Sequence, residues 1–274
     1  MELLTLYCGQ GELAVVRHAG EAIIIDSRCL SESADDIERQ LATFTKGQNV
    51  VGLVLTGFDA DHADPVGVEN VLSDFEPSWI MYPKVYKDTE NASEVFRIIA
   101  KHEKRRRGTA HPLQRVSVRV DKLDQNKLDG LTTNFELKLY SPHTEDMDCS
   151  NNCSIVLKMT GLGPGGFAFL TTGDTENDRW DTITRLFGER LKSDVLSAPH
   201  HGSKTAAHAR MAQLVDPNTV LISAGVDNQY GHPHPQAVKL YSAVAEHVFA
   251  TNVEGGVSLL TRPRGDDFDT RLVK

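Results

Sequence analysis

Apolar residues fall in short runs separated by glycine and by charged clusters. Leu3 to Tyr7, Leu13 to Arg17 and Ala22 to Ile25 are too short for helices, and Gly9-Gln-Gly11 stands between the first two while Asp26 closes the third. This pattern predicts three strands joined by tight glycine turns. Ser33 to Phe44 then places Ile37, Leu41 and Phe44 at helical spacing behind acidic residues, and Val50 to Leu55 reads as a buried strand.

The second half repeats the order. Strands are expected at Phe135 to Tyr140, Ser154 to Met159, Phe167 to Thr171 and Val195 to Ser197, with a helix at Asp178 to Phe187. A helix at His208 to Leu214, a strand at Thr219 to Ser223, a helix at Pro235 to Glu246 and strands at Val248 to Thr251 and Gly256 to Thr261 complete it. Each half runs from strands into helices, which suits two sheets packed face to face with helices outside, a four-layer αββα sandwich, better than a βα barrel. No Gly/Pro/Ser linker interrupts residues 1–274, so a single domain is expected. Ser93 to Arg107 predicts a helix ending in Lys104-Arg-Arg-Arg107, within a helical, basic insertion around 84–130 whose polar stretch Asp121 to Asp129 reads as a loop.

Composition narrows this little. At 274 residues the chain can bury a large core, and a net charge of -9 argues against coating nucleic acid wholesale. The basic run suits a helix C-terminus, where cations meet the helix dipole, and equally a contact with a phosphate backbone. No stretch approaches the roughly 18 apolar residues of a membrane span, and the start lacks a signal-peptide pattern. A soluble cytoplasmic protein without a membrane partner is therefore expected. Cys8, Cys29, Cys149 and Cys153 lack zinc-ribbon spacing and read as reduced buried or loop residues.

The chemistry concentrates just past apolar strands. Asp59, Asp61 and His62 lie within four positions after the strand Val50 to Leu55, and carboxylates with imidazole at that spacing are metal-ligand material. Asn151-Asn152, Gly173-Asp174, Pro199-His-His-Gly-Ser203 and Tyr230-Gly-His-Pro-His234 follow strands in the same way, and loops along one sheet edge converge. Consecutive histidines beside glycine are poor core filler. Pro233 and Pro235 stiffen the segment carrying His232 and His234.

These residues resemble the metallo-β-lactamase fold hydrolases, and within them the C-terminal domain of ComEC-type DNA-uptake proteins. Gly9-Gln-Gly-Glu12, Ile24-Ile-Asp26 and the segment Thr56 to His62, a variant of His-x-His-x-Asp-His, occur in that group's order. Asn152 to Val156, Thr172-Gly-Asp174, His200-His-Gly-Ser203 and Tyr230 to Pro235 continue it over nearly the whole chain. The resemblance implies metal ligands among Asp59, Asp61, His62, Asn152, Asp174, His200 and His232. It implies one ion held by Asp61, His62, a bridging Asp174 and a late histidine. A second ion would use positions 57 and 59, a mid-chain histidine and Asp174.

Here the chain departs from the pattern. Position 57 is Gly, and Asn152 or a neighbour stands where the mid-chain histidine is expected, with His143 an alternative. One or two divalent ions, zinc or manganese with magnesium as a further candidate, remain compatible with such a set. The expected activity is a phosphodiesterase or nuclease acting on DNA or another phosphodiester through a metal-activated water. Asp61 would orient the water, His201 or His234 would protonate the leaving oxygen, and Lys204 beside Ser203 would meet a phosphate oxygen. The competing expectation is a catalytically impaired member that binds nucleic acid or protein. Without a membrane channel, the chain is expected to work alone or with separately encoded protein partners.

Overall fold

In the computed structural model, the structure describes residues 1–30, 33–120, 128–143, 149–265 and 267–274. The expected loop at 121–129 falls mostly outside them.

Strands β1 (Glu2–Thr5), β2 (Ala14–His18) and β3 (Glu21–Ile25) form antiparallel hairpins, as the glycine spacing predicts. Helix α1 (Ala34–Thr45) leads into β4 (Asn49–Val54), which pairs parallel with β3. Helix α2 (Pro65–Asp74), strand β5 (Trp79–Pro83), helix α3 (Glu90–Arg106) and strand β6 (Gln114–Val118) follow. With β13 (Ser258–Arg264) and β14 (Asp267–Val273) they make an eight-stranded sheet in the order β14-β13-β1-β2-β3-β4-β5-β6.

The second sheet has the order β12-β11-β10-β9-β8-β7. Its members are β7 (Phe135–Ser141), β8 (Val156–Gly161), β9 (Ala168–Thr171), β10 (Val195–Ser197), β11 (Thr219–Ile222) and β12 (His247–Ala250). Helices α4 (Asn177–Phe187), α5 (Ala209–Val215) and α6 (Pro235–Ser242) cover it.

Three clusters of apolar side chains define the layers. Leu3, Val16, Ile23, Ile25 and Val54 of the first sheet meet Leu137, Met159, Phe169 and Leu221 of the second between the sheets. Their neighbours one position away, Leu4, Val15, Ile24 and Leu53, point the other way and pack under Ile37, Leu41, Val71 and Ile99 of the first three helices. Leu170, Leu196 and Val220 pack under Trp180, Met211 and Tyr241 of the other helices. Alternate residues of a strand face opposite sides, so with both faces buried the strands read as continuous apolar runs. The result is the αββα sandwich.

The elements α2, β5, β6 and β14 go beyond the sequence expectation, and α6 stops at Ser242 rather than Glu246. Every residue of β5 is buried, leaving no alternation to signal a strand.

Candidate metal centre

Parallel pairing sets the site's location. β3 and β4 are parallel, as are β9, β10 and β11, so the loops leaving their carboxyl ends emerge at one edge, where open α/β sheets commonly bind ligands. β8 runs antiparallel to β9, which brings the Asn152 to Ser154 turn to that edge from the other direction. A bond from Ile155 N–H to the Thr56 carbonyl, 2.7 Å, ties the two sheets together there.

Two glycines permit the close approach. Gly173, at φ +48°, lies so near Ser154 and Thr56 that a Cβ would stand 2.9 and 3.0 Å from their Cβ atoms. Gly202, at φ +75°, leaves 2.8 Å between its would-be Cβ and Pro233, which packs the two histidine segments against each other. His200 and His201 both adopt left-handed backbone, at φ 51° and 55°. For a residue with a Cβ this conformation costs roughly 1–2 kcal/mol, and here it turns two successive rings toward the edge.

Four side chains converge. One ligand atom each from Asp61, His62, Asp174 and His201 lies within 4.8 Å of the others. His62 Nε2 stands 2.9 Å from Asp174 Oδ1, and His201 Nε2 stands 3.5 Å from Asp174 Oδ1 and 3.7 Å from Asp61 Oδ2. Donors about 2.1 Å from a shared ion stand roughly 3–3.5 Å apart in a tetrahedron. His62 Nε2, His201 Nε2 and Asp174 Oδ1 are also buried and contact one another and Asp61, so their nitrogen and oxygen atoms converge on one shared point. The residues therefore fit a divalent ion.

The other ring nitrogens explain the orientation. His201 Nδ1 donates to the Ser223 carbonyl at 2.9 Å, and His62 Nδ1 faces Asp26 Oδ2 at 2.7 Å. With Nδ1 engaged in this way, Nε2 of each ring is the nitrogen aimed at the centre and able to take an ion in exchange for a proton. Asp26 is wholly buried and also accepts from the Thr56 N–H and hydroxyl, both at 2.6 Å. Beyond it, buried Glu12 accepts the Ser197 hydroxyl at 2.7 Å.

The electrostatics favour a cation. Burial opposes charge on His62, but the carboxylates of Asp174 and Asp26 outweigh it and hold its pKa well above the ordinary value. His201 is raised the same way, against burial, by Asp174 and Asp61. Asp174 is held far below the carboxylate range, since His62 and His201 overcome its desolvation.

The remaining expected residues lie around this set. His201, expected as an acid or base, is among the converging four, whereas His200 stands outside, with Nε2 3.9 Å from Asp174 Oδ2 and Nδ1 3.3 Å from Glu176 Oε1. Asn152 Oδ1 accepts the Glu176 N–H at 3.0 Å, and Asp59 Oδ2 accepts the Ser150 hydroxyl at 3.1 Å. A Cβ on Gly57 would meet nothing nearer than Ser154 Oγ at 3.9 Å. His232 lies against the rings of His200, His201 and His234. Burial first, and the neighbouring imidazoles next, lower its pKa to about 4. His234 Nδ1 accepts the Lys204 N–H at 3.3 Å, and Lys204 is exposed.

Sequence reasoning did not assign Glu176, Glu12 or Asp26 to the site. Glu176 stands two residues past Asp174, and that spacing was its one signal. The basic run on α3 is elsewhere: Asn91 near the helix start donates to the Phe58 and Ala63 carbonyls beside the centre. A helix of 17 residues carries its other end roughly 25 Å away. There Arg106 is buried and donates to the Glu76, Pro77 and His111 carbonyls, while Lys101 and Arg105 pair with Glu69 and Glu76.

Fold and centre together define a metallo-β-lactamase-fold protein with a candidate divalent-metal site. The fold is shared with Igni18, a metallo hydrolase from the archaeon Ignicoccus hospitalis, at TM-score 0.53 and 15% identity over 96% of this chain and 100% of that one. It is shared too with the metallo-β-lactamase fold protein YhfI of Bacillus subtilis, at TM-score 0.51 and 11% identity over 94% and 99%. In sequence the chain is similar to a protein of the ComEC competence family, ComE operon protein 3 of Bacillus subtilis, being 27% identical to it over 95% of this chain. It spans about a third of that relative's length. No protein-family model matches the chain. Among the described residues no helix is long and apolar enough to cross a membrane.

Proposed function

We propose that the chain is a metal-dependent hydrolase of phosphodiesters, with DNA as the leading substrate. The observation that carries this reading is the convergence of two imidazoles and two carboxylates, with the buried His62 Nε2, His201 Nε2 and Asp174 Oδ1 facing one another. A divalent ion held by Asp61, His62, Asp174 and His201 supplies Lewis acidity: a more acidic attacking water, and positive charge opposite the developing negative charge. Mixed nitrogen and oxygen donors favour zinc or manganese over magnesium. Asn152, Asp59 and Gly57 lend little to a second set, so one ion per chain is the expected stoichiometry.

The side chains around the ion divide the remaining work. The Asp61 side chain is about a third exposed, and its carboxylate is placed to orient the incoming water and accept its proton. His234 receives a hydrogen bond at Nδ1, which leaves its Nε2 proton available for the leaving oxygen. Lys204 offers an ammonium to a phosphate oxygen. Lys204, the carboxylate-bearing ligand set and the similarity to the DNA-uptake proteins favour phosphate esters over other substrates of this fold. The alternative, a catalytically impaired member that binds nucleic acid or protein, rests on Gly57, which offers no side-chain ligand where the pattern has one; the four converging side chains weigh against it.

The test is to load the protein with zinc or manganese and offer single-stranded DNA, duplex DNA and bis(p-nitrophenyl) phosphate. Metal-dependent cleavage that Asp61→Ala and His62→Ala each reduce at least about a hundredfold supports the proposal. Absence of cleavage of all three substrates with both metals refutes it.

A further inference from the structure

Six large apolar side chains are well exposed among the described residues, and five of them, Val66, Leu162, Leu186, Val253 and Leu272, are aliphatic. The sixth is Tyr230, 55% exposed, whose ring stacks against His232 with centroids 5.7 Å apart and planes 26° apart. His232 in turn stacks on His201, one of the four converging side chains, at 6.3 Å. Tyr230 is thus two ring contacts from the metal centre.

The loop that presents it is tightly built. Asn228 donates through Nδ2 to the Gly225 and His232 carbonyls at 2.8 and 2.6 Å and accepts the His232 N–H at 2.9 Å. Gly231 N–H closes the turn on the Asn228 carbonyl, and Gln10 accepts the Gly225 N–H. An exposed aromatic ring on a braced loop loses little conformational freedom when a flat ligand lies on it.

The charge distribution gives such a contact work to do. A chain at -9 gains no general attraction to a polyanion, and much of the basic run on α3 is paired and distant. Affinity for a strand must come from groups beside the centre. We propose that Tyr230 is the stacking platform for an unpaired base next to the phosphodiester at the metal centre, which makes single-stranded nucleic acid preferred over duplex. This rests on the phosphodiesterase reading for the position of the phosphate. Bases in a duplex are already stacked and must be unpaired to reach the ring, at a cost of a few kcal/mol.

The test compares wild type, Tyr230→Ala and Tyr230→Phe in the metal-loaded full chain. Binding of a fluorescein-labelled thymidine decanucleotide with phosphorothioate linkages is read by anisotropy. A strand of equal length with tetrahydrofuran spacers in place of the nucleosides carries the phosphates without the bases, and thymidine monophosphate as competitor separates a free nucleotide from a strand. Stacking on one aromatic side chain predicts a loss of roughly ten- to a hundredfold for Tyr230→Ala on the base-bearing strand. It predicts no change on the spacer strand and affinity near wild type for Tyr230→Phe. Equal weakening on both strands, or none on the base-bearing strand, overturns the proposal, as does displacement by the mononucleotide at the strand's own concentration. Hydrolysis of the unmodified strand is followed in parallel. If no cleavage occurs, the phosphodiesterase reading fails while the binding comparison still decides Tyr230.

Discussion

Asp26→Asn tests whether the metal centre is held from beneath. In the wild type, Oδ1 accepts the Thr56 N–H while Oδ2 accepts the Thr56 hydroxyl and faces His62 Nδ1 at 2.7 Å. Asparagine has one acceptor. If its oxygen keeps the Thr56 N–H, its NH2 group faces His62 Nδ1, and the ring can answer only by moving its proton to Nε2. That consumes the lone pair aimed at the centre. If the amide turns over, NH2 meets the Thr56 N–H instead, and a buried donor loses its acceptor at about 1–3 kcal/mol. Either arrangement removes the negative charge that helps hold the ring.

Loss of such a supporting partner typically weakens metal binding about 10–100-fold. Through linkage, saturating metal then stabilises the variant by about 1.4–2.7 kcal/mol less than wild type. At roughly 2–4 °C per kcal/mol for a chain of this size, the melting-temperature deficit in metal exceeds that in chelator by about 3–11 °C. Calorimetry under both conditions and competition against a chromophoric chelator measure the two parts separately. A variant with wild-type metal affinity, or an equal deficit with and without metal, refutes the tautomer argument.

Glu12 is raised above its ordinary value of 4.5 by burial first and by Asp26 next. The folded state therefore holds the proton longer than the unfolded chain, and wild type loses this stability as pH rises from 4.5 through the folded pKa. Glu12→Gln keeps an acceptor for Ser197 and has no such loss, so its melting temperature relative to wild type should climb with pH, and a flat difference would count against the buried-acid reading. Gly173→Ala should cost roughly 2–4 kcal/mol in urea unfolding, from the left-handed backbone and the crowding by Ser154 and Thr56; a loss under 1 kcal/mol would show that the turn is not tight. Arg106→Ala should cost about 2–4 kcal/mol by leaving three carbonyls without their charged donor. Lys104→Ala with Arg107→Ala should leave both stability and DNA binding within about 0.5 kcal/mol of wild type, and a large drop in DNA affinity would return the helix end to the substrate path.

Much of the fold was legible because strand periodicity and helix spacing act locally. Ile23 and Ile25 face one layer and Ala22 and Ile24 the other, so the run Ala22 to Ile25 announces a strand buried on both sides. The omissions have local causes as well. In α2, Gly67 interrupts the helical pattern because a Cβ there would sit 1.7 Å from the Ser27 carbonyl oxygen, so the packing that requires the helix also disguises it. β14 is an edge strand with no buried residue, and little in its composition distinguishes it from a loop.

The site shows a sharper division. Which side chains reach the edge follows from their places just past apolar strands, and Asp59, Asp61, His62, Asp174 and the two histidine pairs all arrive there. Which of them meet at one point does not follow, because that depends on a nitrogen's direction. His201 joins the converging set since its Nδ1 is taken by a carbonyl 22 residues away, whereas His200, with nearly the same backbone angles, turns toward Glu176. His62 owes its direction to Asp26, a strand end 36 residues earlier. Spacing within a motif therefore predicts the neighbourhood, while contacts between distant strands decide which nitrogens face the centre. Asp26 and Ser223 are for that reason as much a part of the centre as the residues that would touch the ion.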